Sequence, residues 1–171
     1  MKVTLTMAIS ANGMIATPSG NEDFLPHANW IQFVQLVKKV GCFIWGRKTY
    51  EEVLKWEGDY LSDLEGARKI VVSHNNIKLE HGFELAKSPK HALEILESEG
   101  FEEAIITGGS KLNSSFAKEN LIDKVILDVN STILGEGIPV FSQSQFELRL
   151  KLTNVEKITE KIVELTYDVL K

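Results

Sequence analysis

Apolar and polar positions change their period along this chain, and the changes lay out its elements. Val3-Thr4-Leu5-Thr6-Met7-Ala8-Ile9 carries apolar or β-branched residues at both parities, which predicts a strand buried on both faces. Ser10-Ala11-Asn12-Gly13 reads as a turn, and Met14-Ile15-Ala16 resumes extended structure. Residues 17–26, rich in Pro, Gly, Asn and acids, predict a loop. Trp30, Phe33, Val34, Val37 and Val40 then recur at helical spacing, so 28–40 predicts an amphipathic helix, closed by Gly41.

The same reading continues downstream. It predicts strands at 42–45, 68–73, 83–86, 103–107 and 125–129. Helices are predicted from near Thr49, from the Ser88-Pro89 cap to Gly100, and over 111–119. Gly135 to Pro139 reads as a loop, and 146–152 with 162–169 alternate like an antiparallel hairpin. Strand and helix thus alternate to about residue 130, after which strands dominate. That order predicts an α/β fold with a sheet parallel at its centre and antiparallel at its C-terminal edge. No repeat or linker divides the 171 residues, so a single domain over 1–171 is expected.

Two strands run directly into glycine-bearing turns, and these carry the first functional signal. Cys42-Phe43-Ile44-Trp45 precedes Gly46-Arg47-Lys48-Thr49, and Ala104-Ile105-Ile106-Thr107 precedes Gly108-Gly109-Ser110. A strand-to-helix turn gathers backbone N–H groups and a helix N-terminus, which suits a phosphate. Two such turns suit a pyrophosphate, at the strand ends where open α/β sheets bind ligands. The spacing from Gly41 to Gly46 mimics a P-loop, but Arg47 displaces the required Lys and a buried strand fills the gap. The Rossmann Gly-x-Gly-x-x-Gly is also missing. The alternative for Arg47 and Lys48 is a solvated pair. The alternative for Ser73-His74, a third polar strand tip, is a plain turn.

Composition removes other classes. With 43% hydrophobic and 25% charged residues the chain is ordinary for a globular protein. A net charge of −5 disfavours nucleic acid. No apolar run is long enough for a membrane span, and no leader peptide is visible at Met1, so a cytoplasmic protein is expected. The lone Cys42 excludes an internal disulfide, and His27, His81 and His91 lack ligand spacing, so no metal is assigned. No Gly-x-Ser-x-Gly nucleophile elbow occurs.

These motifs, taken in order, resemble the dihydrofolate reductase-like superfamily. Within it they look most like the reductase domain of bacterial deaminase-reductases of riboflavin synthesis. The resemblance runs through 9–16, Trp45-Gly46-Arg47-Lys48-Thr49-Tyr50-Glu51, Val71-Val72-Ser73 and Thr107-Gly108-Gly109-Ser110-Lys111-Leu112. It continues through 121–124 and 134–141. It implies a three-layer α/β/α fold around a mixed, mostly parallel sheet, with NADPH as hydride donor. It implies that the Gly46 turn, through Thr49, and the Thr107 to Leu112 segment hold the cofactor's phosphates. Ser73 and His74, with Arg47 and Lys48, would lie toward its adenosine end, and Ala8, Ile9, Ile15 and Ala16 beside the nicotinamide. Substrate would enter between the first strand, loop 21–25 and helix 28–40, near Ile9, Asn12, Trp30 and Val34.

The chain departs from that family in three places. Asn12 stands where relatives often carry Asp, and Asn29-Trp30-Ile31-Gln32 stands where folate reductases carry an early helix carboxylate. The zinc-dependent deaminase half is not represented, since one cysteine cannot supply its ligands. The implied activity is reduction of a small nitrogen heterocycle or a ribosylamino-pyrimidine. The rivals are a dihydrofolate or pterin reductase, which a buried carboxylate in the pocket would favour, and a non-catalytic nucleotide-binding module. The proton for nitrogen is expected from Asp23, buried by Phe24-Leu25, with Glu22 as second choice. A homodimer is expected through an apolar edge strand at 162–169.

Overall fold

The computed structural model describes residues 1–171. Strands β1 (Lys2–Ser10), β3 (Cys42–Gly46), β4 (Arg68–Val72), β5 (Phe83–Ala86), β6 (Glu103–Ile106), β7 (Lys124–Asn130), β9 (Arg149–Thr159) and β10 (Ile162–Leu170) form one sheet. Their order is β5-β4-β3-β6-β1-β7-β10-β9. The first six run parallel, and β10 and β9 are antiparallel additions. A small second sheet pairs β2 (Met14–Ala16) with β8 (Ile138–Pro139).

Helices α3 (Pro89–Ser98) and α4 (Ser110–Lys118) cover one face, where Leu5, Ile44, Ile70, Ile106, Leu96 and Phe116 share a core. Helices α1 (His27–Val40) and α2 (Arg47–Val53) cover the other, over Phe43, Trp45, Val71 and Ile105. This is the three-layer, mixed and mostly parallel architecture that the pattern and the resemblance imply. Alternation explains the split: neighbours on a strand point to opposite faces, so Ile44 and Phe43 belong to different cores. No helix is long and apolar enough to cross a membrane.

Local chemistry sets the ends. Gly41 closes α1 at φ 88°, and its N–H donates to the Val37 carbonyl. Ser88 caps α3 by accepting from the His91 N–H at 3.1 Å, with Pro89 in the first turn.

Four expectations are corrected. Helix α2 starts at Arg47 rather than near Thr49, because Gly46 already serves as its extended cap. The stretch read as a loop at 135–139 contains β8, and a short 3-10 turn at Tyr60–Leu64 left no periodic signal. The hairpin's first strand is Arg149–Thr159, not 146–152. Phe146 and Leu148 alternate because they pack on the core beside Phe141, whereas β9 is exposed along most of its length and so has no burial pattern. Finally, 162–169 is not an edge: β10 lies between β7 and β9, and β9 is the edge.

Candidate active site

Register brings the two glycine turns together. β3 and β6 are parallel neighbours, with Ile44 opposite Ile106, so both strands end side by side. The Gly46 N–H donates to the Gly108 carbonyl at 2.8 Å, and the Gly108 N–H donates to Asn113 Oδ1 at 3.2 Å. Those two amides are therefore satisfied within the protein. The donors left for a ligand are the first-turn amides of α2 and α4, which have no partner inside their helices. Space is tight there. A Cβ on Gly108, which sits at φ 72°, would come within 3.3 Å of Met7 Cε, and one on Gly109 within 3.3 Å of Thr49 Oγ1. The Ser110 hydroxyl, at the start of α4, is buried without a hydrogen-bond partner.

Next to the turns opens a cavity of about 830 Å³. β1 contributes Thr6, Met7 and Ala8; β2 contributes Ile15; the following loop contributes Glu22, Asp23 and Leu25. Thr107, Gly108, Gly109, Trp45 and Thr49 close the side next to the glycine turns. One wall is aromatic. Trp30 meets Trp56 at 5.8 Å and Tyr60 at 5.2 Å between ring centroids, both edge to face, and its Nε1 donates to Asp63 Oδ2 at 2.8 Å.

Two acids in this cavity are unusual. Burial pushes the Glu22 carboxyl up to about 7, with the negative Glu52 adding to the shift. Asp128, in the middle of β7, is pushed up to about 7 by burial and then by Glu164, its register partner on β10. Asp128 is 6% exposed, and its Oδ1 has no hydrogen-bond partner. Glu164 is itself raised, by burial first and Glu156 second. Beside them Asn29 and Asn130 form a reciprocal amide pair. Asn29 Nδ2 donates to Asn130 Oδ1 at 2.8 Å, and Asn130 Nδ2 also reaches the Ile9 carbonyl at 3.1 Å. This pair fastens the start of α1 to β1 and β7.

Of the residues singled out from sequence, Ala8, Ile15, Glu22, Asp23, Trp30, Thr49, Thr107, Gly108 and Gly109 line the cavity. Gly46, Arg47, Ser73, His74 and Ser110 flank it along the strand ends, since Gly46 lies opposite Val72. Arg47 pairs with Glu51 at 3.3 Å, and the Ser73 hydroxyl donates to the Asn75 carbonyl at 3.0 Å. Lys48, His74 and Lys111 are exposed, and Leu112 is core. Ile9, Ala16 and Val34 are buried away from the cavity surface. Asn12 instead ties its turn to the 131–134 loop: its Nδ2 donates to the Leu134 carbonyl at 2.7 Å and its Oδ1 accepts from the Leu134 N–H at 3.2 Å.

The expectation for Asp23 is corrected. It is exposed, and Asn21 holds it, Nδ2 donating to Asp23 Oδ2 at 2.6 Å. Phe24 and Leu25 do not cover it. The buried acid of that loop is Glu22. Asp128 was not singled out at all.

Known proteins resemble this chain throughout. The family model described as the RibD C-terminal domain matches residues 1–164. YwjB of Bacillus subtilis, an uncharacterized protein, is 28% identical over 167 residues, covering 94% of each chain. A candidate riboflavin biosynthesis protein from Shewanella superimposes with a TM-score of 0.83 at 24% identity, covering 100% of both chains. A deaminase/5-amino-6-(5-phosphoribosylamino)uracil reductase from Thermotoga maritima superimposes with a TM-score of 0.75 at 19% identity, over 99% of this chain and 56% of that one.

Proposed function

The chain belongs to the RibD C-terminal domain family, and from that premise we propose that it is a cytoplasmic, NADPH-dependent reductase. Its substrate on this reading is a small nitrogen heterocycle or a ribosylamino-pyrimidine. The observation that carries the reading is the joined pair of strand-end turns beside an unpartnered Ser110 hydroxyl and a cavity large enough for a nicotinamide and a substrate ring.

The residues present fit the cofactor. The first turns of α2 and α4 offer amides to its phosphates, and Gly108 and Gly109 carry no side chain at a point where a Cβ would already press on Met7 and Thr49. Arg47, Lys48, Ser73 and His74 would take the phosphate that separates NADPH from NADH. When bound, NADPH supplies a hydride. The chain's own work is to hold the acceptor ring against Ala8 and Ile15, to exclude water with the aromatic wall, and to provide a proton.

Glu22 is the group we assign to the proton. A C=N bond that gains hydride at carbon needs a proton at nitrogen. A carboxyl poised at about 7 is protonated often enough at neutral pH to give one, and it recharges from solvent because the loop is half-buried. Asp128 favours a second reading, reduction of a folate or pterin, since it is a buried carboxyl in the substrate cavity. Loss of NADPH absorbance across a panel of pyrimidines, ribosylamino-pyrimidines, dihydropterins and dihydrofolate tests both. Turnover of a pyrimidine supports the first reading and turnover of a pterin the second. Cofactor binding with no turnover across the panel overturns both in favour of a nucleotide-binding module.

A further inference from the structure

Asp128 sits where an acid is costly. Strand β7 runs Val125-Ile126-Leu127-Asp128-Val129, and its odd positions face the α3/α4 core. Asp128 faces the other way, onto the α1 side, opposite Ala8 on one flank and Glu164 on the other. It is 94% buried by its 6% exposure, and Oδ1 accepts nothing. A buried acceptor left unpaired is an energetic penalty that folding alone does not explain. The residue lines the large cavity, and the part of it that stays exposed is where a molecule there meets it, while Oδ1 itself is sealed off.

The charge around it points the same way. Glu22, Asp23, Glu57 and Asp128 line the cavity against Lys55 and His27. Lys55 is already committed, its Nζ donating to Glu52 Oε1 at 2.7 Å. The walls are flat aromatics, Trp30, Trp56 and Tyr60, which suit a planar ring. An anionic guest would meet like charge, whereas a ring with N–H donors would meet acceptors.

We propose that Asp128 is the residue that reads the substrate, its carboxyl accepting from an N–H edge of a planar, neutral or cationic nitrogen heterocycle. This deepens the reductase reading and rests on it for the word substrate, but the binding claim stands separately. It also sorts the two acids: Glu22, on the half-buried loop, moves a proton, and Asp128, in the buried floor, positions the ring. On this account an acceptor whose only contact edge is anionic is excluded from the floor.

The test uses three probes of one shape: 2-aminopyrimidine, 2-methylpyrimidine and pyrimidine-2-carboxylate, titrated by protein-observed NMR. The titrations are run above about pH 7, where the carboxyl is ionised, and a hydrogen bond to a charged group is worth roughly tenfold or more in affinity. The amino probe is expected to bind wild type at least about tenfold more tightly than the methyl probe, and the carboxylate not at all. Asp128→Ala and Asp128→Asn are each expected to shrink the amino preference. Equal binding of the amino and methyl probes, binding of the carboxylate probe, or a preference that survives in both variants overturns the proposal. The wild-type comparison decides even if a variant does not fold. NADPH is titrated into the same samples. Failure to bind it, with the amino preference intact, removes the reductase reading and leaves this one standing.

Discussion

The strand-end turns and the acid floor share one cavity but are put together by different rules. The turns are runs of contiguous residues, Gly46 to Thr49 and Thr107 to Ser110, whose chemistry is mostly backbone. The acids, Glu22 and Asp128, come from a loop and from a strand far apart in sequence, and their character comes from burial by other elements. Each region keeps one buried polar atom unpaired, Ser110 Oγ at the turns and Asp128 Oδ1 at the floor. The lesson is that a site made of backbone must spend glycine and leaves a local signature. A site made of buried side chains leaves none until the sheet is assembled.

The largest expected effect separates the two regions outright. Gly109→Val is expected to abolish NADPH binding while the protein stays folded by circular dichroism. Gly109 has an ordinary φ of −79°, and a branched Cβ there intrudes beside Thr49 Oγ1. The same variant is expected to keep its affinity for 2-aminopyrimidine. Loss of both would show that the regions are not independent.

Glu22→Gln comes next. It is expected to lower kcat by about 10²–10⁴-fold and to leave NADPH affinity unchanged. Asp23→Asn is expected to change kcat by less than about twofold, since Asp23 is an exposed loop residue rather than a general acid. The acid form is the useful one, so the wild-type rate falls as pH rises through about 7. A rate unchanged in Glu22→Gln assigns the proton to water.

A smaller effect concerns stability. In the folded protein the Asp128 carboxyl holds its proton up to about 7, against an ordinary value of 3.8. The unfolded chain therefore binds fewer protons between those values, and stability falls as pH rises. The penalty is absent below 3.8 and complete above about 7. Asp128→Asn removes it, with Glu164 still opposite. The variant is expected to be more stable than wild type by about 1–3 kcal/mol at alkaline pH and equal to it in acid. Thermal melts at both ends of that range check the sign. A variant less stable at alkaline pH would mean that Asp128 is structural.

The smallest expectation lies outside the cavity. Edge strand β9 exposes Leu150, Leu152 and Val155, and an uncovered edge of this kind invites pairing with a second chain. Light scattering is expected to give twice the chain mass of 19.2 kDa. A monomer mass would leave β9 as a solvated edge.

What was legible in the sequence follows the same division. The fold was readable because the parallel strands are apolar at both parities, α1 shows its period, and Gly41 and Ser88 mark caps. The glycine turns were readable because they directly follow strands. Asp128 was not, because a single acid in Val125-Ile126-Leu127-Asp128-Val129 looks like an ordinary solvent-facing position. Only α1 lying over that face, and β10 adding Glu164 beside it, put it indoors. A signal was present: the α1-side face of β7 also carries Asn130, a polar residue buried to 1% exposure, so polar residues cluster on a face that burial would make apolar. Phe24 and Leu25 follow Asp23 and so point to it over Glu22, but sequence adjacency does not decide which side chain turns inward, and the structure buries Glu22.

The joined turns are expected to hold a phosphorylated dinucleotide. Fluorescence titration of NADPH and NADH into the wild-type chain and Gly109→Val tests it most directly. Saturable NADPH binding is expected, at least about tenfold tighter than NADH from the charge-assisted contacts of Arg47, Lys48, Ser73 and His74, with no binding in Gly109→Val. Equal affinity for the two cofactors, or NADPH binding unchanged by Gly109→Val, would contradict it.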